Sequence, residues 1–247
     1  MKEIKPNAAQ RTHNVVGELL LQEKNCKTVL DIPSGEGFFS TLLKDKGITI
    51  YSADCENLFR VEGAHFNIVD MNRALPYDDG QFDAVVSIDG IEHIENPFNF
   101  VRECNRILRS GGILIISTPN ISSFRSRWRW LWTGFHNKNK TPLDETNPNP
   151  LHHINMMSFP RLRYILHSNG FRISKTATNK VKLISLIYFL FAPFSFLITF
   201  FVFLREEKKL EQRKRNRQIL KQMFLRAVMF GETLIVKAVK KSTRETI

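Results

Sequence analysis

A short apolar run at 28–32, TVLDI, passes directly into PSGEG and then into FFSTLLKDKG at 38–47. A buried strand, a glycine turn and a helix in that order form the first half of a βαβ crossover. Such a unit commits a chain to a parallel sheet with helices packed on it.

The following residues repeat the alternation. ITIYSAD (48–54), HFNIVD (65–70), FDAVVSI (82–88) and ILIISTP (113–119) read as further strands. The run NPFNFVRECNRILRSGG (96–112) predicts a helix stopped by Gly111 and Gly112. An amphipathic helix precedes the first strand, at 8–23, with Val15, Val16, Leu19 and Leu20 at helical spacing. Continuous apolar strands alternating with helices predict an α/β fold whose parallel sheet is covered on both faces. Residues 120–157 break the pattern with SFRSRWRWLW and a polar loop holding Pro142, Pro148 and Pro150. A helix capped by Ser158 (158–169), a strand at 171–178 and a final strand at 231–241 complete the reading. The expected organisation is one domain over 1–247. Its core spans 25–120, a lid 120–157, the sixth-strand region 158–178, an insertion 179–230 and the last strand 231–241.

The glycine loop is not a dinucleotide fingerprint. Gly35 and Gly37 are present, but the third glycine position holds Ser40. Asp31 instead closes the first strand, beside Pro33 in the loop. A carboxylate there repels a pyrophosphate and pairs with an ammonium group. Asp54 closes the second strand, where a carboxylate can accept both hydroxyls of a ribose; nicotinamide-dependent enzymes share this feature. Asp70 and Met71 close the third, suiting an adenine amino group beside an apolar contact. Three carboxylates therefore lie along the sheet edge where open α/β proteins bind ligands.

Together LDIPSGEG, IYSAD, NIVDMNRALPYDDGQFDAVVSIDGIEHIENP and ILRSGGILIISTPN resemble the type 11 class I methyltransferases. That group includes ubiquinone-biosynthesis O-methyltransferases and enzymes of cell-surface glycan pathways. The resemblance covers roughly 25–120, with weaker agreement near 151–177 and 231–241. It implies a Rossmann-like, seven-stranded, mostly parallel sheet with an antiparallel last strand inserted beside the sixth. It also implies S-adenosylmethionine as cofactor. Asp31, Gly35 and Gly37 match positions that hold the amino-acid moiety; Asp54, Asp70 and Met71 match those for ribose and adenine. Ile88, at the end of the fourth strand, joins this set. Pro33 and Ser34 depart from the Gly and Cys frequent in the family.

Methyl transfer is an in-line displacement, so the protein aligns an acceptor atom and can remove its proton. Enzymes that methylate nucleobase or glutamine nitrogen commonly carry Asp/Asn-Pro-Pro-aromatic after the fourth strand. Here Ser87-Ile88-Asp89-Gly90 stands in that place, which favours an oxygen or carbon acceptor. Candidate bases are His93, in the Glu92-His93 pair, and His152 and His153 beyond the polar loop. The three cysteines, Cys26, Cys55 and Cys104, have no metal-ligand spacing, so no metal site is expected. Their sparse, odd count fits reduced thiols, and the first residues lack the apolar core of a signal peptide.

Charge is divided unevenly. Residues 1–120 hold 12 Lys/Arg against 17 Asp/Glu, a net of −5; residues 121–247 hold 24 against 7, a net of +17. A basic half calls for an anionic partner, either nucleic acid or acidic lipid. Residues 183–204 are twenty-two residues without a charge. Lysines and arginines flank both ends, and a last strand that rejoins the sheet cannot lie across a membrane from it. The expectation is therefore a hairpin bent at Pro193 that dips into one leaflet, followed by a charged helix (205–226) on the head groups. Trp128, Trp130 and Trp132 among arginines suit the same interface.

These features predict O-methylation of a lipid-linked or amphiphilic acceptor at the cytoplasmic membrane surface, by a peripheral or monotopic protein. The alternatives are an RNA methyltransferase and a non-catalytic membrane-binding module. The apolar segment and the missing Asn-Pro-Pro-type run count against the first, and the carboxylate set against the second.

Overall fold

The computed structural model describes residues 4–242. Residues 1–3 and 243–247, which the single-domain reading includes, lie outside the described residues. The chain begins with α1 (Thr12–Leu21), followed by β1 (Thr28–Asp31), α2 (Phe38–Leu42), β2 (Thr49–Asp54), β3 (His65–Ile68) and β4 (Phe82–Ile88). After a 3-10 turn at Ile91–His93 come α3 (Pro97–Ile107), β5 (Leu108–Pro119), α4 (Phe124–Thr133), α5 (Phe159–Ser168) and β6 (Phe171–Thr178). A 3-10 stretch, Leu183–Phe191, leads into α6 (Ala192–Glu206), α7 (Leu210–Met223), α8 (Arg226–Phe230) and β7 (Thr233–Lys240).

The seven strands form one sheet in the order β3-β2-β1-β4-β5-β7-β6. β1 to β5 run parallel, and β7 inserts antiparallel between β5 and β6, as expected. Apolar strands bury both faces. One face packs on α3 and α5 through Phe100, Ile107, Phe159 and Leu162. The other packs on α1 and α2 through Val16, Leu20 and Phe39. Lys237 lies in the middle of β7 yet is buried; its Nζ donates to the Leu19 carbonyl at 3.1 Å and pairs with Glu23, fixing α1 to the sheet. The strand order reverses between β1 and β4, which opens a crevice beyond their carboxyl ends.

Four local expectations need correction. The helix after the glycine loop ends at Leu42 rather than Gly47, because Asp45 and Gly47 take left-handed backbone. The third strand ends at Ile68, two residues earlier than read. α3 ends at Ile107, before Gly111 and Gly112. Leu108 is already extended and pairs with Phe82 in the sheet, while Lys240 Nζ caps the Asn105 and Leu108 carbonyls at 2.6 and 2.7 Å. A partner distant in sequence thus ends this helix.

The fourth correction concerns the apolar insertion. The chain does not fold back at Pro193. Leu183–Glu206 is one continuous helical segment of 24 residues, and Pro193 lies in the first turn of α6. There the segment passes from 3-10 to α-helical winding. The reversal comes at 207–209, and α7 returns along α6 with Phe224 edge-on to Phe196 at 5.1 Å. The hairpin therefore has one apolar and one basic arm. Its base is closed by a bridge between Val181 and Gly231, and Asn120 Nδ2 donates to the Ala227, Val228 and Gly231 carbonyls.

Candidate active site

A cavity of about 840 Å³ occupies the crevice beyond β1 and β4. That is within the range of small-molecule sites. Its floor is built from strand ends. Asp54, the last residue of β2, lines it, and Asp54 Oδ2 accepts the Gly35 N–H at 2.7 Å. This bond pins the loop after β1 to the end of β2. Asp54 Oδ1 has only long contacts, at 3.5 Å, from Cys55 Sγ and the Glu56 N–H, so it retains acceptor capacity toward the cavity.

Pro33, Gly35, Asp70, Met71 and Ile88 also line the cavity. Pro33 fits because Gly90 has no side chain: a Cβ there would lie 2.2 Å from the proline Cδ. Asp70 Oδ1 accepts the Asn72 N–H at 2.9 Å, and Asn72 Oδ1 accepts from the Glu95 N–H at 2.8 Å. The loops after β3 and β4 are thereby joined across the opening. Phe38, Leu58, Met71 and Ile88 supply apolar wall.

Asp31 and Gly37 stand behind this wall rather than in it. Asp31 is 1% exposed, and its Oδ2 has no hydrogen-bond partner. Burial, and secondly the charge of Asp54, hold its carboxyl well above the usual range. Gly37 has φ of 94°, and a Cβ there would meet Phe59 and Val61 at 2.7 and 2.6 Å. Its role is to let the loop pack on residues 59–61.

The other end of the cavity lies past β4. Asp89 has a left-handed φ of 47°, and its Oδ1 accepts from the Ser117 hydroxyl at 2.5 Å. Such backbone clusters at functional sites. Next to it Glu92, His93, His152 and His153 all line the cavity. His93 Nδ1 donates to the His152 carbonyl at 3.1 Å, and the His93 and His153 rings meet edge to face at 4.7 Å. Burial lowers the pKa of both rings, His153 to about 4, so each is neutral at pH 7. Glu92 is fully buried with neither carboxylate oxygen bonded. Burial, and then Asp89, raise its pKa well above the usual range, while the adjacent Thr118 hydroxyl acts in the opposite direction.

Of the residues named from sequence, Pro33, Gly35, Asp54, Asp70, Met71, Ile88 and the three histidines line the cavity, Asp31 and Gly37 do not, and three further contributors were not read from it. Lys5, Asn7, Ala8 and Ala9 cover the cavity ahead of α1, with Asn7 lying directly over Gly35. Lys138 reaches in from the loop after α4. Asp89 was legible only as part of a missing motif. A second pocket of about 150 Å³ adjoins the first through Lys138 and is lined by Arg125, Lys140 and Lys182, with Glu232. Glu232 pairs with Lys182 at 2.9 Å and Lys180 at 3.5 Å. Trp128 of α4 stacks on Phe191 at 5.7 Å, joining this region to the apolar insertion.

The model of a methyltransferase domain family matches residues 6–176. The match ends before the insertion. A protein named a probable S-adenosylmethionine-dependent methyltransferase, from Mycolicibacterium smegmatis, is 29% identical over 67% of this chain and 60% of its own length. A ubiquinone biosynthesis O-methyltransferase of Pseudomonas paraeruginosa is 28% identical over 38% of this chain and 45% of its own. The chain thus spans about half the length of these relatives. Among solved structures, a SAM-dependent methyltransferase from Archaeoglobus fulgidus superposes with a TM-score of 0.55 and 19% identity, over 93% of this chain and 95% of that one.

Proposed function

The chain belongs to the class I S-adenosylmethionine-dependent methyltransferases, and from that premise we propose that it O-methylates a lipid-linked or amphiphilic acceptor at the cytoplasmic face of a membrane. The residues of the cavity fit the cofactor. Asp54 offers a free carboxylate oxygen to ribose hydroxyls, Met71 and Ile88 flank an adenine, and the buried carboxyl of Asp31 lies beneath the loop for the amino-acid end. Bound there, S-adenosylmethionine supplies an electrophilic methyl group.

This chain's own residues perform the remaining tasks. The loop after β1, held by Asp54, orients the donor. The lid at 148–154 and the segment ahead of α1 cover the cavity and exclude water. His93 and His153, neutral through burial, present ring lone pairs at the acceptor end, and His93 is held in place by the His152 carbonyl. A hydroxyl arriving there meets a group able to take its proton.

The single observation carrying the acceptor class is an unbroken sequence of three surfaces. The cavity adjoins the pocket of Arg125, Lys138, Lys140 and Lys182, and that pocket adjoins the apolar helical segment. A reactive hydroxyl, an anionic group and a hydrocarbon tail have these three chemistries in this order. The helical segment is suited to lipid: only 6% of its most apolar window is buried, and Leu183, Leu190, Phe194, Ile198 and Phe201 are exposed. Monomeric soluble proteins rarely leave so large an apolar surface uncovered. Because Val181 and Gly231 are bridged, the insertion leaves and returns at one point. Its returning arm, α7, carries Arg213, Lys214, Arg215, Arg217 and Lys221 and is too charged to cross a bilayer. An in-plane position, with α6 in the acyl boundary and α7 on anionic head groups, satisfies both arms.

Incubation with radiolabelled S-adenosylmethionine and a membrane lipid extract tests this. Label is expected in the organic phase, stable to conditions that cleave methyl esters. Label in RNA, or only in water-soluble products, would overturn the acceptor class.

A further inference from the structure

We infer that Glu92, His93 and His153 form a binding site for one divalent transition-metal cation, which holds the acceptor oxygen. This deepens the proposed function, resting on its reading of this wall as the acceptor end.

One ligand-capable atom from each of the three residues lies within 4.8 Å of the other two. Ligand atoms around a single four-coordinate ion with bonds near 2.0–2.2 Å stand roughly 3–4 Å apart. Only small side-chain movements separate the observed cluster from that geometry. The three residues come from two elements that the fold brings together. Glu92 and His93 belong to the 3-10 turn after β4, and His153 to the lid; the Asn155 N–H donates to the Glu92 carbonyl at 2.9 Å and ties the two.

Unpartnered atoms point the same way. Buried polar groups almost always have partners. Yet Glu92 is completely buried with both carboxylate oxygens unbonded, and it faces the cavity. His153 Nδ1 is likewise buried and unbonded. His93 has the support common to metal-bound imidazoles: Nδ1 donates to the His152 backbone carbonyl, which fixes the ring edge to face with His153. A cation satisfies all three groups at once.

Two imidazoles and one carboxylate favour zinc, cobalt or iron over magnesium and calcium, which prefer oxygen ligands. Three protein ligands leave a coordination position toward the cavity, as catalytic sites do. An acceptor hydroxyl in that position would lose its proton more readily and be held in line with the methyl donor. With the ion bound, the histidine lone pairs hold metal, and the ion stabilises the oxygen anion. Adjacent Glu and His followed some sixty residues later by a second His is not a recognisable metal spacing, so the site is legible only in three dimensions.

The test is a titration of the tag-free, metal-stripped full chain with Co2+, followed by visible absorption, for wild type, Glu92→Gln and His153→Ala. The expected result is one Co2+ per chain, with d–d bands of a four- or five-coordinate ion, and at least tenfold weaker binding in each variant. Absence of the bands in wild type, or equal affinity in Glu92→Gln, would overturn the inference. Circular dichroism and S-adenosylmethionine calorimetry on the same samples distinguish the possible failures. A folded, cofactor-binding protein without Co2+ bands refutes the metal site alone. Co2+ bands without cofactor binding would refute the methyltransferase reading while leaving the metal site standing.

Discussion

His93 Nδ1 donates to the main-chain carbonyl of His152 at 3.1 Å, joining the turn after β4 to the loop at 148–154 beside the cavity. The side chain of one predicted histidine is thus positioned by the backbone of another. His93→Ala removes the proposed base and its hydrogen bond to the 148–154 loop. Turnover is expected to fall about 100-fold, the usual scale for losing such a group, with cofactor affinity unchanged. Steady-state kinetics beside calorimetry separate the two effects; unchanged turnover would remove His93 from the mechanism.

His13, on α1, is buried and packs edge-on against Phe38 at 5.0 Å. Burial lowers its pKa to about 4. The unfolded chain therefore takes up this proton near pH 6.5 while the folded chain resists until about pH 4. Stability linked to His13 is full above pH 6.5 and is lost as pH falls through that window. The loss amounts to about 3 kcal/mol. Denaturant midpoints measured from pH 7 to pH 4 should fall less steeply in His13→Phe than in wild type.

The basic arm of the insertion is expected to govern the salt dependence of lipid binding. Replacing Arg213, Lys214, Arg215 and Arg217 with Gln removes four charges from α7. At about 1 kcal/mol per charge near an anionic surface, flotation with phosphatidylglycerol vesicles should drop by orders of magnitude at low salt. Flotation of wild type should itself decline as salt rises. Equal flotation of both proteins on neutral vesicles would assign binding to the apolar arm alone.

The sequence made legible what depends on neighbouring residues. Apolar runs ending in Asp31, Asp54 and Asp70 marked the strands and their ligand-binding edge, and Ser158 marked a helix start; its hydroxyl accepts the Arg161 N–H. Features set by distant partners could not be read. α3 ends where Lys240 caps it, not at the glycines. Pro193 begins a helix instead of bending one, since α7 provides the return. At the site, side-chain type was readable but facing was not: Asp31 and Gly37 support the loop from behind, while Asn7 and Lys138 reach the cavity from segments without periodicity.

Asp54 at the end of β2 and Asp70 just past β3 line the crevice proposed to hold S-adenosylmethionine, with Asp31 beneath its wall. Asp54 does most of this work, because its Oδ2 pins Gly35 while its Oδ1 has only contacts at 3.5 Å. Calorimetric titration of S-adenosylmethionine into wild type and Asp54→Ala tests it directly. One molecule bound per chain is expected. Affinity should be about 10- to 100-fold weaker in the variant, the scale for loss of a charge-assisted hydrogen bond. No binding to the wild-type chain, or equal affinity in both, would contradict it.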